Sequence, residues 1–205
     1  MIYLDTFENF LNESKLSKFI HKVKKAKQFA TKVHGGVYRK GLNEKGEKIP
    51  YIVHPDSVAK IVHSVKNSKR IADLIAASYL HDTVQDTDVT FEDIEKEFGE
   101  LVMNIVKELT SNKEKLEISG KEEYLIDKMI NMSSWALVIK LADRYHNLSD
   151  FEAIVKSGDK KRLKWAKSYA KQTQNIVDEL EWYRKLSNPQ KALVDMIKER
   201  LKIIL

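Results

Sequence analysis

Cysteine is absent from this 205-residue chain. That excludes a disulfide framework, a thiolate zinc site and a cysteine nucleophile, and it agrees with a cytoplasmic, reducing setting. Only 7 glycines and 3 prolines interrupt regular structure. No apolar run approaches the roughly 20 residues of a membrane span, so no membrane partner is expected. The first residues carry the acids Asp5 and Glu8 and lack a basic start, so no secretory leader is expected. Acidic excess is lacking too: 36 Lys+Arg face 30 Asp+Glu, a net charge of +6. The lysines are spread over many helix faces, without the dense basic stripe and interleaved aromatics of a nucleic-acid interface, so no nucleic acid is expected as partner. Most of them suit a solvated surface, and their functional use would be attraction of an anionic small molecule.

What the chain has is helical periodicity almost throughout. Residues 15–34 put Phe19, Ile20, Val23, Ala26, Ala30 and Val33 on an inner side, and Gly35 and Gly36 supply a stop. Residues 37–51 form a polar connection with room for one small hairpin. Pro55 suits the first turn of a helix reaching about residue 66, and Ser68 caps the next helix, which runs to His81. Thr90, followed by Glu92 and Asp93, opens a helix that stops near Gly99. Residues 101–109 form a short helix, whereas 111–120 are polar and charged and predict a mobile loop. Helices are predicted over 121–132, 133–151, 159–186 and 189–205. The run from Trp135 to Ile139 is apolar nearly all round and marks a central, buried helix. The expected fold class is all-α, a helical bundle with one small β-hairpin, in a single domain over 1–205.

The chemically informative residues sit where buried helices end. His81 and Asp82 close an apolar run from Ile71 to Leu80. An anion placed there needs a partner: a metal, a salt bridge or a helix cap. Asp143 ends a second apolar run and poses the same question. Its neighbour Arg144 points elsewhere around the helix, whereas Asn147 lies one turn on, on the same face. His54 precedes Pro55, which is expected to hold it extended at a helix start. His21 and His63 lie in lysine-rich stretches and carry no assigned role. Taken singly, each of these residues has a plainer account as a satisfied core histidine or a paired aspartate. Two histidines and two aspartates on separate helices together suit a hydrolytic metal centre with positions open for water.

The segments His34-Gly-Gly-Val-Tyr-Arg-Lys40, Pro50-Tyr-Ile-Val-His-Pro55, Leu80 to Thr90, Phe98-Gly99 and Lys140 to Leu148 resemble, in order, those of the HD-domain metal phosphohydrolases. Within that superfamily they resemble the hydrolase domain of RelA/SpoT-type alarmone enzymes. No synthetase region follows these segments, so the likeness is to the stand-alone small alarmone hydrolases. The resemblance implies Mn²⁺ held by His54, His81, Asp82 and Asp143, although Zn²⁺, Fe²⁺ or Mg²⁺ also fit these ligand types. It implies hydrolysis of the 3′-pyrophosphate of ppGpp or pppGpp to GDP or GTP and pyrophosphate. It further implies nucleotide contacts from Arg39 and Lys40, support of the base or sugar by Asn147, and a substrate contact from Tyr169. Oligomeric state, and pairing with an alarmone synthetase, stay open.

One departure bears on activity. The family has Glu-Asp after the His-Asp pair, whereas this chain has Gln85-Asp86. A glutamine holds water or phosphate by hydrogen bonds but exchanges no proton near neutral pH. Asp86 is then left as the proton-transfer candidate, with Gln85 beside it. Two alternatives follow: a related nucleotide phosphatase, for example one acting on NADPH, or a catalytically weak nucleotide sensor. The stretch between Lys40 and Pro50 is also longer than the family's usual turn.

Overall fold

The computed structural model describes residues 2–42 and 46–205, with side chains described for 15–39, 46–155 and 157–205. Lys40 therefore has its backbone within a strand, while its side chain lies outside the described residues. Helix α1 (Ile2–Val33) begins well before the expected residue 15 and ends where Gly36 adopts a φ of +80°, a conformation that favours glycine. The chain then forms the expected hairpin. Strands β1 (Tyr38–Leu42) and β2 (Lys48–Pro50) pair antiparallel, with Tyr38 opposite Pro50 and an irregularity before Leu42 reaches Lys48. A Tyr51 N–H to Val37 carbonyl bond closes the hairpin and leads into α2 (Val53–Val65).

His54 is helical, not extended, because Pro55 lies within the first turn of α2. There its missing N–H is one of the donors that a helix leaves unpaired anyway. Ser68 does not cap α3 (Ile71–Leu80). Its hydroxyl accepts from Arg70 N–H in the preceding turn, and Arg70 is the capping position. All residues of α3 from Asp73 to Leu80 are buried, and its small Ala76 and Ala77 allow α1 and α2 to pack closely on it. After α4 (Thr83–Asp86), α5 (Phe91–Phe98) opens with the expected Thr90 cap, reciprocated by Asp93. Then comes α6 (Glu100–Leu109).

Residues expected as a loop form α7 (Lys113–Ser119). The Asn112 side chain accepts from Lys115 N–H and starts it, but none of its residues is buried, so it leaves no hydrophobic period to read. α8 (Lys121–Asn131) follows. α9 (Ser134–Ser149), capped by Ser133, is the central helix that the apolar run predicts: Leu137, Val138, Ile139, Leu141 and Ala142 are wholly buried, and it packs on α2 and α12. It stops two residues short of residue 151, and α10 (Phe151–Ser157) continues after a break. α11 (Lys160–Tyr183) and α12 (Asn188–Ile204) complete the bundle. The fold is all-α with one small hairpin, as the periodicity implies. No helix among the described residues is long and apolar enough to cross a membrane.

Candidate metal centre

Three helices converge behind the hairpin. The start of α2 brings His54, the end of α3 brings His81 and Asp82, and the middle of α9 brings Asp143. His54, His81 and Asp143 are buried, and each offers one ligand atom within 4.8 Å of the others. His54 Nε2 stands 3.2 Å from Asp143 Oδ1, and His81 Nε2 stands 3.0 Å from Asp82 Oδ2. The crossed distances, His54 to Asp82 and His81 to Asp143, are 3.8 and 3.9 Å. The structure thus brings together all four residues expected to hold a metal.

Neighbours fix the orientation of each group. His81 Nδ1 lies 2.7 Å from the Ser78 carbonyl, which only an N–H can satisfy. In the neutral ring this leaves a lone pair on Nε2, aimed at Asp82 Oδ2 at 3.0 Å and Asp143 Oδ1 at 3.9 Å, a repulsion that a proton on the ring or a cation between the groups relieves. A cation at that point resolves the conflict, and imidazole and carboxylate donors suit a divalent one. Burial opposes a charged His81, but the Asp82 and Asp143 carboxylates outweigh it and push its pKa up to about 9. Burial also pushes Asp143 upward, and Lys140 with His54 more than reverses that, holding it well below the usual carboxylate range.

Several residues of the site were not singled out in the sequence. Lys140 donates to Asp143 Oδ2 at 3.0 Å, one turn before it on α9. Tyr51 donates to Asp82 Oδ2 at 2.5 Å, and its ring lies 4.6 Å from that of His34. His146 Nδ1 is 3.0 Å from His54 Nδ1; burial first, then His54, lowers its pKa to about 4. The spacing of Lys140 from Asp143 was a readable signal. The contacts of Tyr51 and His146 join residues far apart in the chain and carry no local pattern. Arg144 does point away from Asp143, as expected: it donates to Thr173 at 2.7 Å and stacks over Tyr169.

The centre opens into a cleft of about 600 Å³. Gln85, Asp86, Arg39, Asn147 and Tyr169 all line it. Asp86 is pushed above the usual carboxylate range by burial and by the charge of Asp82. Gln85 Oε1 accepts from Ser111 N–H at 3.0 Å. Asn147 donates to Asp143 Oδ1 at 2.8 Å and accepts from Arg39 at 3.0 Å, and Arg39 also pairs with Asp150. Beyond Tyr169 an annex of about 430 Å³ continues between Tyr38, Phe151, Ile154 and Trp165.

Residues 26–180 match the family model described as HD domain. The chain is 31% identical over 165 residues to the guanosine-3′,5′-bis(diphosphate) 3′-pyrophosphohydrolase MESH1 of Danio rerio, covering 80% of this chain and 84% of that one. It is 32% identical over 163 residues to MESH1 of Homo sapiens, covering 76% and 87%. Its fold superposes with a TM-score of 0.66, at 28% identity, on a solved metazoan orthologue of SpoT that hydrolyses ppGpp, covering 87% of this chain and 95% of that one. The crystal structure of lmo0812 from Listeria monocytogenes shares the fold at a TM-score of 0.60 and 24% identity, covering 76% of this chain and 97% of that one. By the match over most of its length, the chain, with its adjacent His81 and Asp82 at the end of α3, belongs to the HD domain family.

Proposed function

We propose that the protein removes the 3′-pyrophosphate of guanosine alarmones, ppGpp and pppGpp, leaving GDP or GTP and pyrophosphate. The observation that carries this reading is the buried His81 nitrogen facing two carboxylates at the floor of a cationic cleft, in a chain whose MESH1 relatives bear that activity in their names. His54, His81, Asp82 and Asp143 would hold a divalent ion, Mn²⁺ in this proposal. When bound, the ion polarises a phosphoryl oxygen and acidifies water.

The protein's own groups supply the rest. Arg39, Lys113 and Lys121 line the cleft and would hold the phosphates of a polyanion. The annex, walled by aromatic side chains, suits a purine ring. Asp86, a carboxyl raised toward neutrality, would accept and return the proton. Asn147 and Lys140 hold Asp143 from two sides, and Tyr51 holds Asp82. The reading treats residues 1–205 as one working unit in the cytoplasm.

Incubation of the protein with guanosine tetraphosphate and Mn²⁺, with products separated by anion exchange, tests the reading. GDP and pyrophosphate are expected, and Asp86→Asn should lower turnover about 10²–10⁴-fold while leaving metal bound. Intact substrate over metal-loaded protein would overturn it. Gln85, tied to Ser111 and without a transferable proton, favours a second reading in which the pocket senses nucleotide or acts on another phosphoester such as that of NADPH. Phosphate release from NADPH, or tight alarmone binding without turnover, would be its signature.

A further inference from the structure

Residues 110–116 separate two cavities. Ser111, Lys113 and Leu116 line the catalytic cleft, whereas Thr110, Asn112 and Lys115 line a second cavity of about 310 Å³ behind it. Apolar packing gives this partition little hold, because α7 buries no residue, Ile118 is 80% exposed and only Leu116 rests half-buried against the core. Hydrogen bonds supply most of the rest. From the rear, Lys128 donates to the Thr110 carbonyl at 2.6 Å and the Leu109 carbonyl at 3.2 Å. Tyr124, one turn before Lys128 on α8, accepts from Asn112 N–H at 2.7 Å. From the cleft side only Gln85 reaches the segment, at Ser111, among the bonds described.

Lys128 and Tyr124 line the rear cavity and not the cleft, so they do not touch a molecule bound there. Burial, with Lys140 nearby, pushes the Lys128 ammonium down to about 8. A half-buried ammonium is a demanding way to finish α6, since an exposed cap would satisfy the same carbonyls without desolvation. Its placement makes sense if the exact position of the next residues matters, and the next cationic side chain is Lys113, in the cleft wall.

We propose that Lys128 and Tyr124 are positioning residues that set how far residues 110–113 reach into the cleft, and so where Lys113 meets the phosphates of the substrate. This rests on the hydrolase reading. Lys128→Met should raise KM for guanosine tetraphosphate about tenfold, the scale of one lost charge-assisted hydrogen bond, and Tyr124→Phe, which loses a neutral one, about two- to tenfold, with kcat changed less than about twofold in both. Mn²⁺ affinity should be unchanged, amide exchange at 111–115 should quicken, and Lys128→Arg should recover most of the KM. Unchanged KM in folded Lys128→Met, or a fall in thermal stability with no change in KM, would make the lysine a helix cap alone and overturn the proposal. If the unsubstituted protein shows no turnover, the hydrolase reading fails separately. Exchange at 111–115 and calorimetric binding of inorganic pyrophosphate then decide: quicker exchange with weaker binding in Lys128→Met sustains the positioning role, and no change in either overturns it.

Discussion

Replacing Tyr51 by phenylalanine removes one hydroxyl from beside the candidate metal centre, in the wall of the cleft. That hydroxyl donates to Asp82 Oδ2, the same oxygen that faces His81 Nε2 at 3.0 Å and His54 Nε2 at 3.8 Å. A carboxylate oxygen has two lone pairs, so one is directed by Tyr51 and the other is left for a cation. A hydrogen bond to a charged group contributes about 1.5–3 kcal/mol. Loss of an outer-shell partner of a metal ligand lowers metal affinity by about 10–100-fold, or roughly 1.4–2.7 kcal/mol, so two independent routes give the same range. The phenylalanine ring keeps the contacts with His34 and His54. We therefore expect Tyr51→Phe to fold normally and to bind Mn²⁺ about 10–100-fold more weakly in a chelator-competition titration. An affinity within twofold of the unsubstituted protein would show that Asp82 is held by its helix end alone, and would refute the reasoning.

Three further expectations follow from the site and its surroundings. Gln85→Glu keeps an oxygen acceptor for Ser111 N–H and adds a carboxylate beside Asp86, so turnover of guanosine tetraphosphate should rise; a steady-state rate that is unchanged or lower would leave Gln85 as a tether for Ser111. Asp82 and Asp143 push the pKa of His81 up to about 9 against the opposing effect of burial, and a cation must displace the proton they favour, so Mn²⁺ affinity measured by calorimetry should climb with pH and binding should release protons; a pH-independent affinity would contradict this. Asp56, opposed by burial but held down to about 2 by Lys27, Lys60 and Tyr79, has a folded pKa below its unfolded value. Its contribution is present above the ordinary carboxylate range and is lost as pH falls through about 2. With solvent screening it amounts to no more than about 1 kcal/mol, and Asp56→Asn should flatten urea-denaturation midpoints over that acid window.

The helices that bury a continuous face were legible because burial leaves a period. Ile71 to Leu80 and Trp135 to Ile139 proclaim α3 and α9, and His81 and Asp82 at the end of α3, Asp143 in the middle of α9 and His54 at the start of α2 stand out against apolar neighbours. α7 was not legible, since a helix that buries nothing has no period, and only Asn112 marked its start. His54 misled in the other direction: the rule for residues before proline holds along most of a chain and yields at a first helical turn. Tyr51, His146 and the Lys128 bonds with 109–110 depend on how distant elements meet. Arg39 shows the same limit, since its pairing with Asn147 and Asp150 follows from where the hairpin lands on α9.

Lys140, Asp143 and Asn147 lie on one side of one helix and meet the same carboxylate. Substitutions there act one residue at a time. An insertion or deletion does not: one added residue between Ser133 and Lys140 would turn all three about 100° around the axis together. The interval from 140 to 147 is therefore a reading frame within the fold. Lineages of this chain can drift in hairpin length and in the surface of α7, but are expected to keep the count of residues along α9 unchanged, because no single later substitution could bring the three back.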